Sequence, residues 1–306
     1  MVTVLLAVYN GEKYLAEQLD SILNQTEKNI KILIRDDGST DNSLKIIDLF
    51  CERYSNIISK ISGDPTGGAA QNFAELLQNC DDDYIMFCDQ DDIWLPEKIE
   101  ITLAAMKSAE GEDASIPVLV HGDLKVVDQD LNVISQSMLD YQRLNCENLS
   151  LPKLLVQNYV TGCTVMINRA LKQKCGKIPP NCIMHDWWLA IIAQLFGKIV
   201  CINEPLLLYR QHTDNQVGAK SAHGLSYVKQ KLKTLDRVRA NYNATYRQSK
   251  LVLDKYSDIL SDEQIEVLKV YCLMPSMSKF KRIKTMQKYG FKKGTAMRVI
   301  GQYILM

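Results

Sequence analysis

No run in this 306-residue chain approaches the ~20 consecutive apolar residues that a membrane-spanning helix requires. The opening MVTVLLAVYNG is apolar but lacks a basic n-region and a small-residue cleavage site, so a signal peptide is not expected. A cytoplasmic location is therefore expected, at most peripheral at the inner face of the plasma membrane. The nine cysteines form no C-x-x-C pair, which argues against a zinc site. Most sit in apolar runs and read as reduced core residues. No repeat or low-complexity tract occurs, and 46% hydrophobic residues exclude a disordered chain. Net charge is also absent, but the zero is a sum of opposites. Residues 219–306 hold 18 Lys or Arg against 6 Asp or Glu, and the rest of the chain is acidic to the same extent. An acidic body argues against a nucleic-acid partner, because phosphate contacts need Lys and Arg.

What is present reads as alternating strands and helices. Val2–Val8 is a continuous apolar run ending in the turn Tyr9-Asn10-Gly11, as a buried parallel strand should. Helical spacing follows over 12–24, then a strand over 30–35, a helix over 43–55 and a weak strand over 57–61. A flexible loop over 63–70 precedes a helix over 71–79, a strand over 84–88 and a helix over 96–110. This alternation predicts right-handed βαβ units around a mostly parallel sheet flanked by helices. Beyond 115 come a strand over 118–121, a hairpin, a helix over 149–156, a strand over 162–168, a helix over 185–196 and two short strands over 198–202 and 205–210. From about residue 218 the chain turns long, basic and helical. The expected domains are 1–218, in halves 1–115 and 116–218, and a helical basic region over 219–306.

In parallel sheets ligands bind at the carboxyl ends of strands, and polar clusters follow three of these strands. Asp89-x-Asp91, with Asp92 beside it, ends an apolar strand. It reads either as a solvated acidic turn or as a hard-oxygen site for Mg2+ or Mn2+. Asp36-Asp37-Gly38-Ser39 is more acidic than a helix cap needs, and a carboxylate there can accept the N3–H of a pyrimidine. His185-Asp186-Trp187-Trp188 opens an apolar helix. Asp186 is either a cap or a general base, and the tryptophans are either core or an acceptor platform. In Tyr209-Arg210-Gln211-His212, Arg210 is a candidate phosphate partner, and His212 is a metal ligand, a donor to a departing diphosphate or a structural histidine.

The segments VYNGEKYLAEQLDSILNQT, RDDGSTDNS, CDQDDIWLPEK, TGCTVMINRAL, HDWW and YRQH occur in this order over residues 2–218. Together they resemble glycosyltransferase family 2, in particular its rhamnosyltransferase-like subgroup of bacterial O-antigen and capsule assembly. The resemblance implies a GT-A fold, a nucleotide-diphospho-sugar donor (a dTDP- or UDP-sugar, with rhamnose favoured), a divalent metal and inversion at the anomeric carbon. It implies a glycan acceptor, often lipid-linked. Carried over by position, Asp186 is the catalytic base. By the same carry-over Ala7, Tyr9 and Asp37 contact the nucleoside and Asp91 with Asp89 holds the metal; Asp36, Asn72, Asp89, Gln90 and Arg210 complete the expected nucleotide-sugar site, and His212 the expected metal set. His121, Asp123, Trp187 and Trp188 are acceptor-side candidates. Two departures stand out. An Arg-Asn pair common in the family reads Gln71-Asn72 here, and a Glu-Asp motif reads His185-Asp186.

The alternatives are a nucleotidyltransferase and a non-catalytic glycan- or membrane-binding homologue. The first would carry a Gly-rich basic loop after strand one, where this chain has Tyr9-Asn10-Gly11-Glu12. The second need not retain both Asp91 and Asp186. The basic tail mixes Phe280, Ile283, Met286, Tyr289 and Phe291 with lysines and Arg282. That pattern suits either an anionic membrane face or a packed helix with a solvated side.

Overall fold

The computed structural model describes residues 1–147, 149–212 and 235–305. Contacts divide them into two compact units. The first comprises Met1–Met138, Val160–Ile178 and the described part of Met184–Ala219. The second comprises Leu139–Tyr159, Pro179–Ile183 and the described part of Lys220–Met306. The division is thus not a single cut at 218, because two short segments from the first two-thirds of the chain pack with the C-terminal helices.

The first unit alternates β1 (Val2–Val8), α1 (Leu15–Leu23), β2 (Ile30–Asp36), α2 (Ser43–Arg53), β3 (Ile58–Ile61), α3 (Ala69–Gln78), β4 (Tyr84–Cys88), β5 (Ile93–Trp94) and α4 (Lys98–Glu110). It continues with β6 (Val118–Val127), β7 (Val133–Ser135), β8 (Met166–Asn168), α7 (Arg169–Cys175), α8 (His185–Phe196) and β9 (Lys198–Arg210), while α5 (Met138–Gln142), from its second residue, and α6 (Leu151–Val156) lie in the chain segment of the second unit. The sheet runs β3-β2-β1-β4-β8-β6-β9-β5, with β7 on β6. β1 pairs in parallel with both β2 and β4, and β2 with β3. β8 is antiparallel to β4 and β6, and β5 to β9, so the parallel half continues into a mixed half.

β1 reads as an unbroken apolar run because neighbours flank it on both edges and all seven residues are buried. Each buried Val or Leu there contributes about 1.5–3 kcal/mol of transfer free energy. α1 and α3 cover the sheet with Leu15, Leu19, Ile22, Phe73, Leu76 and Leu77, at the 3–4 residue spacing of one helix face. Two expectations fail in detail. The strand foreseen over 162–168 begins with a 3-10 turn, Gly162–Thr164. The two short strands after residue 198 are one strand, whose pairing with β6 shifts register at Gly122–Asp123, and such a bulge breaks the sequence pattern into two.

The second unit holds α6, α9 (Leu235–Tyr256), α10 (Asp262–Leu273), α11 (Lys279–Tyr289) and α12 (Ala296–Leu305). Its core is aromatic. Tyr246, Tyr271 and Phe291 pack in series, and the Tyr271 hydroxyl lies 2.9 Å from Thr245 Oγ1. Ser261 and Gln264 close a capping box on α10. Seven cysteines are free thiols; Cys146 and Cys201 are not among them, so the expectation of nine reduced thiols holds only in part.

Candidate active site

A cleft of about 570 Å³ opens where β1, β2 and β4 end. Ala7, Tyr9, Asp37, Asn72, Asp89, Gln90 and Asp91 all line it, with Met184 and Tyr209. Parallel pairing forces this convergence, because adjacent parallel strands deliver their C-terminal residues to the same edge.

Several motif residues hold one another rather than face outward. Gln90 accepts from Tyr9 N at 2.7 Å and donates to Tyr9 O at 2.9 Å, lashing the β4 turn to the β1 turn. Gly11 permits this, since a Cβ there would lie 2.5 Å from Gln90 Oε1. Asp36 accepts from Gly38 N, Ser39 N and the Ser39 hydroxyl, which makes it a turn-former. Asn10 ties that turn back to β1 by accepting from Thr40 N at 2.8 Å.

Asp37 is buried and accepts from Arg35 Nη1 at 2.9 Å, Thr66 N at 2.6 Å and Thr66 Oγ1 at 2.8 Å. Gly67 N and Gly68 N donate at 3.1 Å each. Burial alone would raise its pKa, but the bonds from Thr66, Arg35 and Gly68 outweigh it and hold the carboxyl below its ordinary value. Arg35 also donates to Asn72 Oδ1 at 3.0 Å and to Asp64 O at 2.6 Å. Sequence reasoning missed Arg35. Its signal was a charged residue closing the apolar run of β2, directly before two aspartates. It brings a guanidinium onto Asn72, on a helix where the family's Arg is replaced by Gln71.

Arg210 does not reach into the cleft as a phosphate ligand would. Its guanidinium is committed to Asp91 O at 3.0 Å, Gln129 O at 2.8 Å and Glu17 Oε2 at 2.5 Å, over the Tyr14 ring. It is a positioning residue for the Asp91 turn. His212, beside it in sequence, places Nε2 2.8 Å from Asp91 Oδ2, so the structure brings together two of the three predicted metal ligands.

The acidic turn splits by direction. Asp89 and Asp91 line the cleft, whereas Asp92 is wholly buried and forms a cluster with Asp89 and Cys163. Burial, then Asp91 and Asp186, push the pKa of Asp89 up to about 7. Burial, then Asp91 and Asp89, push Asp92 well above the carboxylate range. Lys98 is buried nearby, 4.4 Å from the Trp94 ring, with its pKa lowered to about 8 by burial. The donor set at this turn, the Asp89 and Asp91 carboxylates on the cleft with the His212 imidazole against Asp91, fits Mg2+ or Mn2+. The inward set includes a thiol, a softer donor that suits these ions less well. Asp92 Oδ1 accepts from Arg210 N at 3.3 Å, while its Oδ2 stays buried on the inward side of the turn.

Asp186 sits in the first turn of α8, buried, with Oδ1 accepting from Trp187 N at 2.6 Å. Its charge acts on Asp89, so it lies within electrostatic reach of the cleft. His185 packs between Phe73 and Phe87, at ring distances of 4.2 and 5.0 Å, and burial lowers its pKa to about 3. It is neutral filler beside Asp186, and neither ring nitrogen has a partner. On the acceptor side, Trp188 is fully buried and belongs to the core, while Trp187 is half-buried. His121 and Asp123 lie inside β6, and Asp123 accepts from Leu124 N and Met138 N. These burials argue against Trp188 and His121 as glycan contacts.

A sheet of this topology, with its acidic cleft at the ends of β1, β2 and β4, defines the GT-A fold. Among solved structures the chain resembles S. aureus TarS 1–349 in complex with UDP-GlcNAc, at a TM-score of 0.59 and 15% identity, covering 94% of this chain and 80% of that one. It also resembles the mannosyltransferase PcManGT from Pyrobaculum calidifontis in complex with GDP-Man and Mn2+, at a TM-score of 0.53 and 15% identity, covering 94% and 84%. The protein belongs to glycosyltransferase family 2, whose model, "Glycosyl transferase family 2", matches residues 3–173. A relative from Shigella flexneri, the dTDP-rhamnosyl transferase RfbG, is 33% identical over 273 residues, 84% of this chain and 85% of its own.

Proposed function

We propose that this glycosyltransferase moves rhamnose from a dTDP-linked donor to a bacterial surface-glycan acceptor, with inversion. The observation that carries the reading is the meeting of Asp37, Asp89 and Asp91 on one cleft within electrostatic reach of Asp186. The likeness to a dTDP-rhamnosyl transferase over most of both chains supports the donor. Ala7, Tyr9, Asp37 and Asn72 form the nucleoside end of the cleft. A pyrimidine reaching Asp37 displaces donors from the 66–68 loop, since that carboxylate is already saturated. Asp89 and Asp91, with His212 against Asp91, would hold a divalent cation. When bound, such an ion neutralises charge on the departing diphosphate. Asp186 takes the proton from the acceptor hydroxyl as that oxygen bonds to the anomeric carbon and the bond to the diphosphate breaks. Because the acceptor of such enzymes is lipid-linked in many cases, the basic C-terminal region completes the reading as a peripheral contact with the membrane's inner face.

Thermal unfolding with dTDP, UDP and GDP and their sugar conjugates, with and without Mn2+, tests the donor site, because a ligand of the native state raises Tm. A Mn2+-dependent shift with dTDP ligands is expected, and no shift with any nucleotide refutes the reading in favour of a non-catalytic binding protein. Asp186→Asn should keep the shift and lower turnover at least 100-fold. Near-normal turnover in that variant refutes the base assignment.

A further inference from the structure

The second unit buries much of what the tail's pattern offered to a membrane and exposes something else. Met286 and Phe291 are at 0% exposure, inside the aromatic core. α12, by contrast, leaves Met297 at 48%, Ile300 at 59% and Ile304 at 60% exposure. Their spacing of three and four residues aligns them on one helix face. The opposite face is committed. Gln302 is buried and donates to Phe291 O at 2.9 Å, and Arg298 donates to Gln142 O at 2.8 Å.

α11 extends this apolar stripe. Lys279 Nζ donates to Ile304 O at 3.4 Å, so the start of α11 meets the end of α12. Next to that contact, Phe280 is 70% exposed, with Lys284 Nζ 4.8 Å from its ring centroid. Lys281, Lys284 and Lys288 are exposed on the same helix. Residues 279–306 hold eight Lys or Arg and no Asp or Glu.

We infer that the Met297–Ile300–Ile304 stripe, with Phe280 at its edge, is a docking face for an anionic lipid surface. The charge selects the occupant. A second copy of this face would bring Lys281, Lys284 and Lys288 against their own counterparts, whereas anionic headgroups complement them. Apolar side chains fringed by lysines are what an interfacial helix presents to the headgroup boundary. Each lysine near such a surface strengthens partitioning roughly fivefold, and salt screens that gain. The inference deepens the membrane part of the proposed function and rests on it, not on the donor site.

The test is co-sedimentation of the full chain with phosphatidylcholine vesicles and with vesicles containing 30–40% phosphatidylglycerol (~0.1 M salt, about one Debye length of 10 Å). Binding to the anionic vesicles alone is expected, weakened by added salt. Ile300→Asp with Ile304→Asp should cut it at least tenfold, as should Lys281→Glu with Lys284→Glu and Lys288→Glu. Both variants should keep the far-UV CD spectrum and the nucleotide-induced Tm shift, which separates lost docking from lost folding. Failure of the full chain to bind either vesicle overturns the membrane reading and this face together. Full-strength binding by the Ile300/Ile304 variant overturns this face alone. A concentration-dependent dimer that the same variant abolishes makes the face a protein interface and overturns the lipid assignment.

Discussion

Replacing Arg35 by methionine should destabilise the protein by about 3 kcal/mol at pH 7. Breaking a buried ion pair by removing one partner costs about 3–5 kcal/mol, because the remaining charge loses its compensation. Both partners are buried here, at 3% and 6% exposure. The low end applies because Asp37 keeps the Thr66, Gly67 and Gly68 donors, although Asn72 Oδ1 and Asp64 O also lose a donor. At about 2 °C per kcal/mol for a chain of this size or somewhat smaller, Tm should fall by roughly 6 °C. The acid dependence separates charge from packing. Asp37 titrates below its ordinary value of 3.8, so the stability it contributes is present above that value and is lost as pH falls through the folded pKa. Urea unfolding of wild type and Arg35→Met at pH 7, 5, 4 and 3.5 should show a gap that is constant to about pH 5 and narrows below 4. A gap under about 1 kcal/mol at pH 7, or one that does not narrow in acid, refutes the argument that Arg35 acts by compensating the Asp37 charge.

Asp89 titrates at about 7, above its ordinary 3.8, so the metal-free fold loses stability from this group as pH rises through that range. A cation that needs the ionised carboxylate should reverse this, and the Mn2+-induced Tm shift should grow from pH 6 to pH 8; a shift independent of pH removes Asp89 from the ligand set. Asp91→Ala should abolish the Mn2+-dependent part of the nucleotide shift, measured by the same unfolding assay. Gly11→Ala pushes the flexible Gln90 amide off the Tyr9 backbone and should cost about 1 kcal/mol in urea unfolding, the order of the exposed hydrogen bonds it breaks. Gly162→Ala puts a Cβ 3.1 Å from His185 Nε2 and 3.6 Å from Asp186 Oδ2. It should lower kcat more than it raises donor KM, and an unchanged kcat refutes a tight fit around the base.

The parallel half of the sheet was legible because burial on both faces leaves one signature, an apolar run, and β1 and β4 begin and end where that run does. The mixed half was less so. β5 is two residues long, too short for any period, and β9 is broken by a register shift that mimics a turn. The helix of the His185–Asp186 motif was readable from its apolar length. The role of Arg210 was not, because a guanidinium next to a candidate metal ligand looks the same in sequence whether it faces a phosphate or three protein oxygens.

By itself the sequence determined the strand–helix alternation, and with it which aspartates share the carboxyl edge of the sheet. Periodicity and parallel order are local and chiral constraints that need no partner to be specified. Tertiary structure alone decided which way each carboxylate points. It turned Asp89 and Asp91 to the cleft and Asp92 to Cys163, saturated Asp37 from a loop thirty residues away, and hid Trp188 while leaving Ile300 and Ile304 exposed. Those outcomes depend on side chains far apart in the chain meeting in space, and no spacing rule encodes which of two adjacent aspartates will find a partner there.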